Sequence, residues 1–296
     1  METSPEKTQL LILGASGLLG GRLHEYFSRQ DGYKTLGTCL KKQKEGLFKL
    51  DICDRAEMLK FFKECNPEIV IHAAGLTNVN YCELNKVKAN SVNVLGSINI
   101  IECCKQANSK LICISTDFVF SGAKNTYYTE LDKPAEKPLN YYAETKLLAE
   151  ELIRKSSLEY LIARTSTLYS VGSNDFVNWA INELKQKRKI KVACNHIRSP
   201  TFAEDIPIAM DNLIKKGLFG IYHMAGPRAL SKYGMALEMT EMFCLDERLI
   251  APVHSKILDE PAIRPEKTAL NITKLKCEGI KMSDFKEGLF NILIKK

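Results

Sequence analysis

No two cysteines in the chain are spaced as CxxC, and no apolar run approaches the length needed to cross a bilayer. The first absence argues against a zinc site, and no other metal ligand set is apparent. The second argues against a membrane partner. The ten cysteines stand singly or as the Cys103-Cys104 pair, inside segments that otherwise read as strands and helices. They are expected to be reduced thiols serving as small apolar residues. The opening METSPEKTQ holds no charged stretch followed by an apolar one, so a cytoplasmic protein is the expectation. Internal repeats, low-complexity segments and compact basic motifs are missing too. The formal charge of +7 is carried by lysines spread along 296 residues, which gives a solvated surface rather than a nucleic-acid face. With 45% apolar and 26% charged residues, disordered and fibrous classes are excluded. The length suits one large α/β domain or a main domain with a smaller companion.

Short apolar bursts alternate with amphipathic stretches from the start. LLILG (10–14), YKTLGTCL (33–40), EIVIHAAG (68–75), KLICIST (110–116) and EYLIART (159–165) are strand candidates. Between them lie helical stretches from Gly17 to about Gln30, from Asp54 onward, a long one ending near Asn108, and the one that holds YYAETK. This is the βαβ rhythm of a parallel, doubly wound sheet of Rossmann type. After Thr165 the rhythm loosens, with a helix near 174–187 and a further strand candidate, GIYHMAG (220–226). The expected organisation is a nucleotide-binding domain over residues 1–165, to which 201–226 return, and a smaller substrate lobe over 166–296, built mainly from 166–200 and 227–296.

GASGLLG places Gly14, Gly17 and Gly20 directly after the first strand and at the start of the first helix. Gly14 permits the tight turn, Gly17 lets a pyrophosphate approach the backbone, and Gly20 allows close helix packing. Ser16, Leu18 and Leu19 belong to the same dinucleotide-binding turn, and the helix N-terminus offers N–H donors to the anion. The GxxGxxG spacing resembles the extended branch of the short-chain dehydrogenase/reductase superfamily. No acid stands at Thr38 to Leu40 to take a ribose hydroxyl, whereas Lys41 and Lys42 follow at once. Cations there suit a 2′-phosphate, so NADPH is the expected cofactor and NADH the alternative. In the superfamily an acid placed like Asp51, beside Ile52, contacts the adenine. Ala73, Ala74 and Gly75 are small enough for a dinucleotide to lie against the strand end.

Tyr142 and Lys146 are four apart in YYAETK and share one helix face, while Tyr141 lies about 100° around it. An ammonium near a phenol favours the phenolate, which makes Tyr142 a candidate acid and base. Ser115-Thr116-Asp117 end the strand KLICIST, at the edge where open α/β sheets place ligands. Superfamily register assigns the carbonyl-orienting hydroxyl to Thr116, with Ser115 as the alternative.

ISTDFVFSG (114–122), PLNYYAETKLLAE (138–150), RTSTLY (164–169), RSPT (198–201), GIYHMAG and RPEKTALN (264–271) occur in this order. From about Gln9 to the C-terminus the chain resembles the dTDP-4-dehydrorhamnose reductase-like family. The resemblance implies reduction of a 4-keto group on a nucleotide-linked deoxysugar, with Tyr142 giving the proton, Lys146 holding the nicotinamide ribose and Thr116 orienting the ketone. Asn93 matches a position near the active site; satisfaction by backbone or water is an equal alternative. The substrate-side candidates are Thr77, Asp117, Phe118, Thr167, Arg198 and Arg264, with Pro200-Thr201 alongside; an arginine there would bind a nucleotide diphosphate. Phe118 stands where the family usually has tyrosine and Thr167 where it usually has tryptophan, so the sugar is left open. An epimerase, and a non-catalytic NADP-binding regulator resembling the beta subunit of methionine adenosyltransferase, are the rival readings. A homodimer is allowed.

Overall fold

The structure is a computed structural model that describes residues 7–41 and 45–295. Lys42, one of the two expected phosphate-binding lysines, lies outside the described residues. The first half of the chain builds β1 (Thr8–Leu13), α1 (Leu18–Phe27), β2 (Tyr33–Cys39), β3 (Leu47–Lys49), α2 (Arg55–Cys65), β4 (Ile69–His72), α3 (Val79–Leu84), α4 (Lys86–Asn90), α5 (Gly96–Ala107) and β5 (Lys110–Thr116). The Tyr-Lys segment forms α6 (Tyr141–Lys155), which leads into β6 (Tyr160–Thr165). A seven-stranded parallel sheet results, in the order Gly220–His223, β6, β5, β4, β1, β2, β3. Strand order reverses at β1, with β2 on one side and β4 on the other. That reversal makes the carboxyl ends of β1 and β4 the place where a doubly wound sheet opens a ligand crevice.

For six of the seven strands expectation and structure agree closely, because each is a short apolar run closed by a turn residue; β3, three residues with two of them exposed, lacks that pattern. The long helix expected to end near Asn108 is instead broken. Asn78 accepts from the Tyr81 N–H and starts α3, Asn85 starts α4, and Ser91–Leu95 form a π-helical turn before α5. Asparagine side chains compete with the helix backbone for hydrogen bonds, which is why apolar periodicity alone did not reveal the breaks. Asn108, at φ 53°, closes α5 in the left-handed conformation that asparagine tolerates.

The chain divides into two compact units. One holds the described residues through Ser115, with Tyr141–Ala163 and Met210–Ile221; the other holds Thr116–Asn140, Arg164–Ala209 and the described residues from Tyr222 on. In the first unit, Leu11, Leu13, Val70, Leu111 and Ile162 of the sheet pack with Met58, Phe62, Ile100 and Ile153 of the helices. In the second, Tyr169, Val177, Ile181, Phe202, Met235, Phe285 and Leu289 form a separate core. All ten cysteines are free thiols. Burial pushes Cys65 up to about 11 and Cys103 to about 12, so neither is a nucleophile at neutral pH.

Asp211, buried in the first unit, accepts from the Tyr33 phenol at 2.7 Å and the Tyr26 phenol at 2.9 Å and pairs with Lys215 at 2.8 Å. Burial and then this carboxylate push Tyr26 up to about 12 and Tyr33 higher still. Asp211→Asn keeps one acceptor and loses the charge, so it is expected to destabilise the protein by about 2 kcal/mol. The check is a lower urea midpoint at an unchanged m-value.

Candidate functional site

The cofactor residues of the first unit converge on the β1 and β4 ends. Gly14 sits at φ +84°, and a Cβ there would come within 2.6 Å of Ala74 Cα. A Cβ on Gly20 would lie 2.1 Å from the Gly14 carbonyl oxygen. Both positions therefore demand glycine. Gly17 differs: it is exposed, caps α1 without a side-chain hydrogen bond, and leaves the helix N-terminus open to an anion. Ser16 and Leu18 are half-buried, while Leu19 turns into the core. Ala73 donates to the Leu13 carbonyl at 3.0 Å, which sets Ala73 and Ala74 beside the glycine turn, with Gly75 exposed after them.

At the end of β2, Cys39, Leu40, Lys41 and Lys49 line a hollow of about 370 Å³. Lys49 closes β3 opposite Cys39, and the sequence pattern gives no sign of it because the two lysines share one hollow only once β2 and β3 pair. Asp51 accepts from the Cys53 N–H at 2.9 Å, an Asx turn that orders the chain after β3. Ile52 is buried against Gly96 of α5, and Asn99 donates to its carbonyl at 2.9 Å.

Tyr142 and Lys146, both half-buried, occupy the first two turns of α6. Tyr141 is set apart by its own contacts: its N–H donates to Glu83 at 2.8 Å, and Lys86 Nζ lies 5.3 Å from its ring centre. Asn93, in the π-helical turn, accepts from the Leu76 N–H at 2.8 Å and donates to the Leu76 carbonyl at 3.0 Å and to Thr145 Oγ1 at 3.0 Å. Thr145 in turn donates to the Tyr142 carbonyl at 2.8 Å. One amide thus ties the loop after Gly75 to the turn of α6 that carries Tyr142. Ser97 donates to the Asn93 carbonyl at 2.7 Å and so faces His72 Nε2, 3.1 Å away, as acceptor. Burial and then the charge of Lys146 push His72 down to about 3, which keeps it neutral. Ser115 spends its hydroxyl on the buried carboxylate of Glu150.

In the second unit, Thr116 Oγ1 accepts from the Phe118 N–H at 3.2 Å and donates to Asp117 at 3.3 Å, capping the short turn Asp117–Val119. Asp117 is raised by burial, against the lowering effects of Arg198, Thr268, Ser166 and Thr116. Arg198 is itself buried and pairs with Asp117 at 3.4 Å. Thr167 holds φ +36°, a left-handed conformation that is costly for a β-branched residue and concentrates at functional sites. Pro200 and Thr201 are buried, and Thr201 accepts from the Gly226 N–H at 3.1 Å, a supporting position. Arg264 is half-buried and paired with Glu260. Two groups the sequence did not point to stand near it: burial, then the charges of Arg198, Lys232, Arg264 and His254, push His196 down to about 3. Lys232 is lowered by burial and then by Arg264. Arg198, Lys232 and Arg264 are far apart in sequence, and only the fold gathers them. Thr77 is exposed, in the first unit. Among the described residues no group of three or more histidine, cysteine or acidic side chains is placed to hold a metal.

The RmlD substrate binding domain family matches residues 8–296. The chain belongs to that family. Among its relatives, a dTDP-4-dehydrorhamnose reductase of Aggregatibacter actinomycetemcomitans is 30% identical across 96% of this chain and 98% of its own length. Methionine adenosyltransferase 2 subunit beta of Mus musculus is 27% identical over 100% of this chain and 91% of its own. The crystal structure of dTDP-4-dehydrorhamnose reductase from Bacillus anthracis str. Ames in complex with NADP superposes with a TM-score of 0.88 at 28% identity, covering 98% of this chain and 100% of that one.

Proposed function

We propose that the protein is an NADPH-dependent reductase acting on the 4-keto group of a nucleotide-linked deoxysugar. The observation that carries this is the Tyr142-Lys146 couple, pinned through Thr145 and Asn93 to the loop that follows Gly75 at the end of β4. The residues present fit the cofactor: the open α1 N-terminus at Gly17 suits a pyrophosphate, and Lys41 with Lys49 suits a 2′-phosphate. When bound, NADPH supplies the hydride. Tyr142 gives a proton to the carbonyl oxygen, Lys146 favours the charge left on the phenol, and Thr116 orients the carbonyl by a hydrogen bond. Arg264, with Lys232 near it, is the second unit's candidate cation for a diphosphate. The cofactor residues fall in the first unit, and the substrate candidates other than Thr77 in the second.

A second reading, a non-catalytic NADPH-binding subunit, is supported by the relative matched over the full chain whose name is that of a subunit. The two are separated by incubating the purified protein with NADPH and a panel of dTDP-, UDP- and GDP-linked 4-keto sugars. Oxidation of NADPH with at least one is expected. Tight NADPH binding with no turnover on any, together with co-purification of a second chain, is the result that favours the subunit.

A further inference from the structure

Every nitrogen of Arg198 is engaged within the second unit. Nε pairs with Asp117 at 3.4 Å; Nη1 donates to the carbonyls of Ile197 and Glu266, each at 2.9 Å; and Nη2 donates to the carbonyl of Pro265. The guanidinium carbon lies 5.0 Å from the centre of the Phe118 ring. Its side chain is 4% exposed and that of Asp117 is 3%. Two of the three carbonyls it holds belong to Pro265 and Glu266, the two residues after Arg264. The same segment returns to Asp117, where the Thr268 hydroxyl donates to the carboxylate, and runs along Ile197, which donates to Glu266 O at 2.6 Å and accepts from the Thr268 N–H at 3.1 Å.

We propose that Arg198, matched in sequence to a substrate-side position, is a positioning residue. Its fork fixes the loop that carries Arg264, and its ion pair fixes the turn that begins at Thr116. A buried ion pair is a poor way to gain stability alone, because desolvating both charges cancels much of their attraction. What the planar fork provides, and an apolar side chain cannot, is a simultaneous grip on three backbone carbonyls and one carboxylate. Two candidate substrate groups, Arg264 and Thr116, are thereby held to one rigid centre.

The inference rests on Arg264 meeting the diphosphate of the proposed substrate. The test uses Arg198→Lys in the full chain, which keeps the charge and loses the fork. Binding of dTDP and UDP by calorimetry is expected to weaken about tenfold or more, with KM for the keto sugar rising more than kcat falls and the NADPH dissociation constant unchanged. Adding Asp117→Asn is expected to cost less than it does alone, since the two act as one element. Unchanged diphosphate binding and KM overturn the proposal. So does an equal loss of NADPH affinity and thermal stability, which marks a role in folding only. Should Arg198→Lys be insoluble, Thr268→Val removes a single hydroxyl from the same centre; a smaller loss of diphosphate binding supports the proposal and no loss overturns it. A wild-type protein that reduces no sugar, yet binds dTDP or UDP and loses that binding with Arg198→Lys, keeps this inference and removes the reductase reading. Turnover that Arg198→Lys leaves untouched does the reverse.

Discussion

Tyr142→Phe is expected to lower kcat for the keto sugar by a factor of about 10² to 10⁴, the range over which a positioned proton donor contributes. NADPH affinity should stay within about twofold, because the change removes one hydroxyl and no backbone contact. The pin that holds this turn of α6 runs through the Tyr142 carbonyl to Thr145 and Asn93, and phenylalanine keeps that carbonyl. Steady-state kinetics beside cofactor fluorescence titration separate the two effects. Tyr141→Phe is the control: the Tyr141 backbone bond to Glu83 survives and its ring still lies under Lys86, so turnover should change little. Equal rates for wild type and Tyr142→Phe would exclude the phenol as the proton donor.

Gly20→Ala should abolish NADPH binding and lower the thermal midpoint even without cofactor. The added Cβ would sit 2.1 Å from the Gly14 carbonyl oxygen and 2.8 Å from its carbon. These are backbone atoms of the turn, so relief requires moving α1 away from β1; overpacking of this kind costs about 1–3 kcal/mol and sometimes more. Gly17→Ala provides the contrast. Its Cβ meets nothing closer than 3.4 Å, so the fold should persist while a methyl group intrudes where a pyrophosphate would rest on the helix N-terminus. Thermal unfolding with and without NADPH tells them apart: Gly17→Ala keeps the apo midpoint and loses the cofactor-induced rise, whereas Gly20→Ala loses both. A Gly20→Ala protein with a normal apo midpoint would refute the steric account.

How much of this was legible beforehand follows from which interactions are local. Six of the seven sheet strands are readable because each is a short apolar run between turns, and Gly14, Gly17 and Gly20 because the turn they build lies within seven residues. Tyr142 was selected over Tyr141 by helical spacing alone. What stayed hidden depends on contacts between distant segments. Lys49 comes to line the same hollow as Lys41 only after β2 and β3 pair. Arg198, Lys232 and Arg264 are separated by long stretches, and nothing in the pattern near Arg198 marks it as buried. The breaks at Asn78 and Asn85 are hidden because polar side chains bonded to the local backbone, rather than apolar periodicity, mark them.

Seven of the ten cysteines, from Cys39 to Cys113, belong to the first unit and are buried or half-buried; the exposed ones, Cys194, Cys244 and Cys277, all belong to the second. Reactivity toward a maleimide dye is therefore partitioned by the fold itself. Brief labelling of the native protein would decorate one unit and spare the other, giving a fluorescent report on the part that carries Arg198 and Arg264 without a single engineered residue.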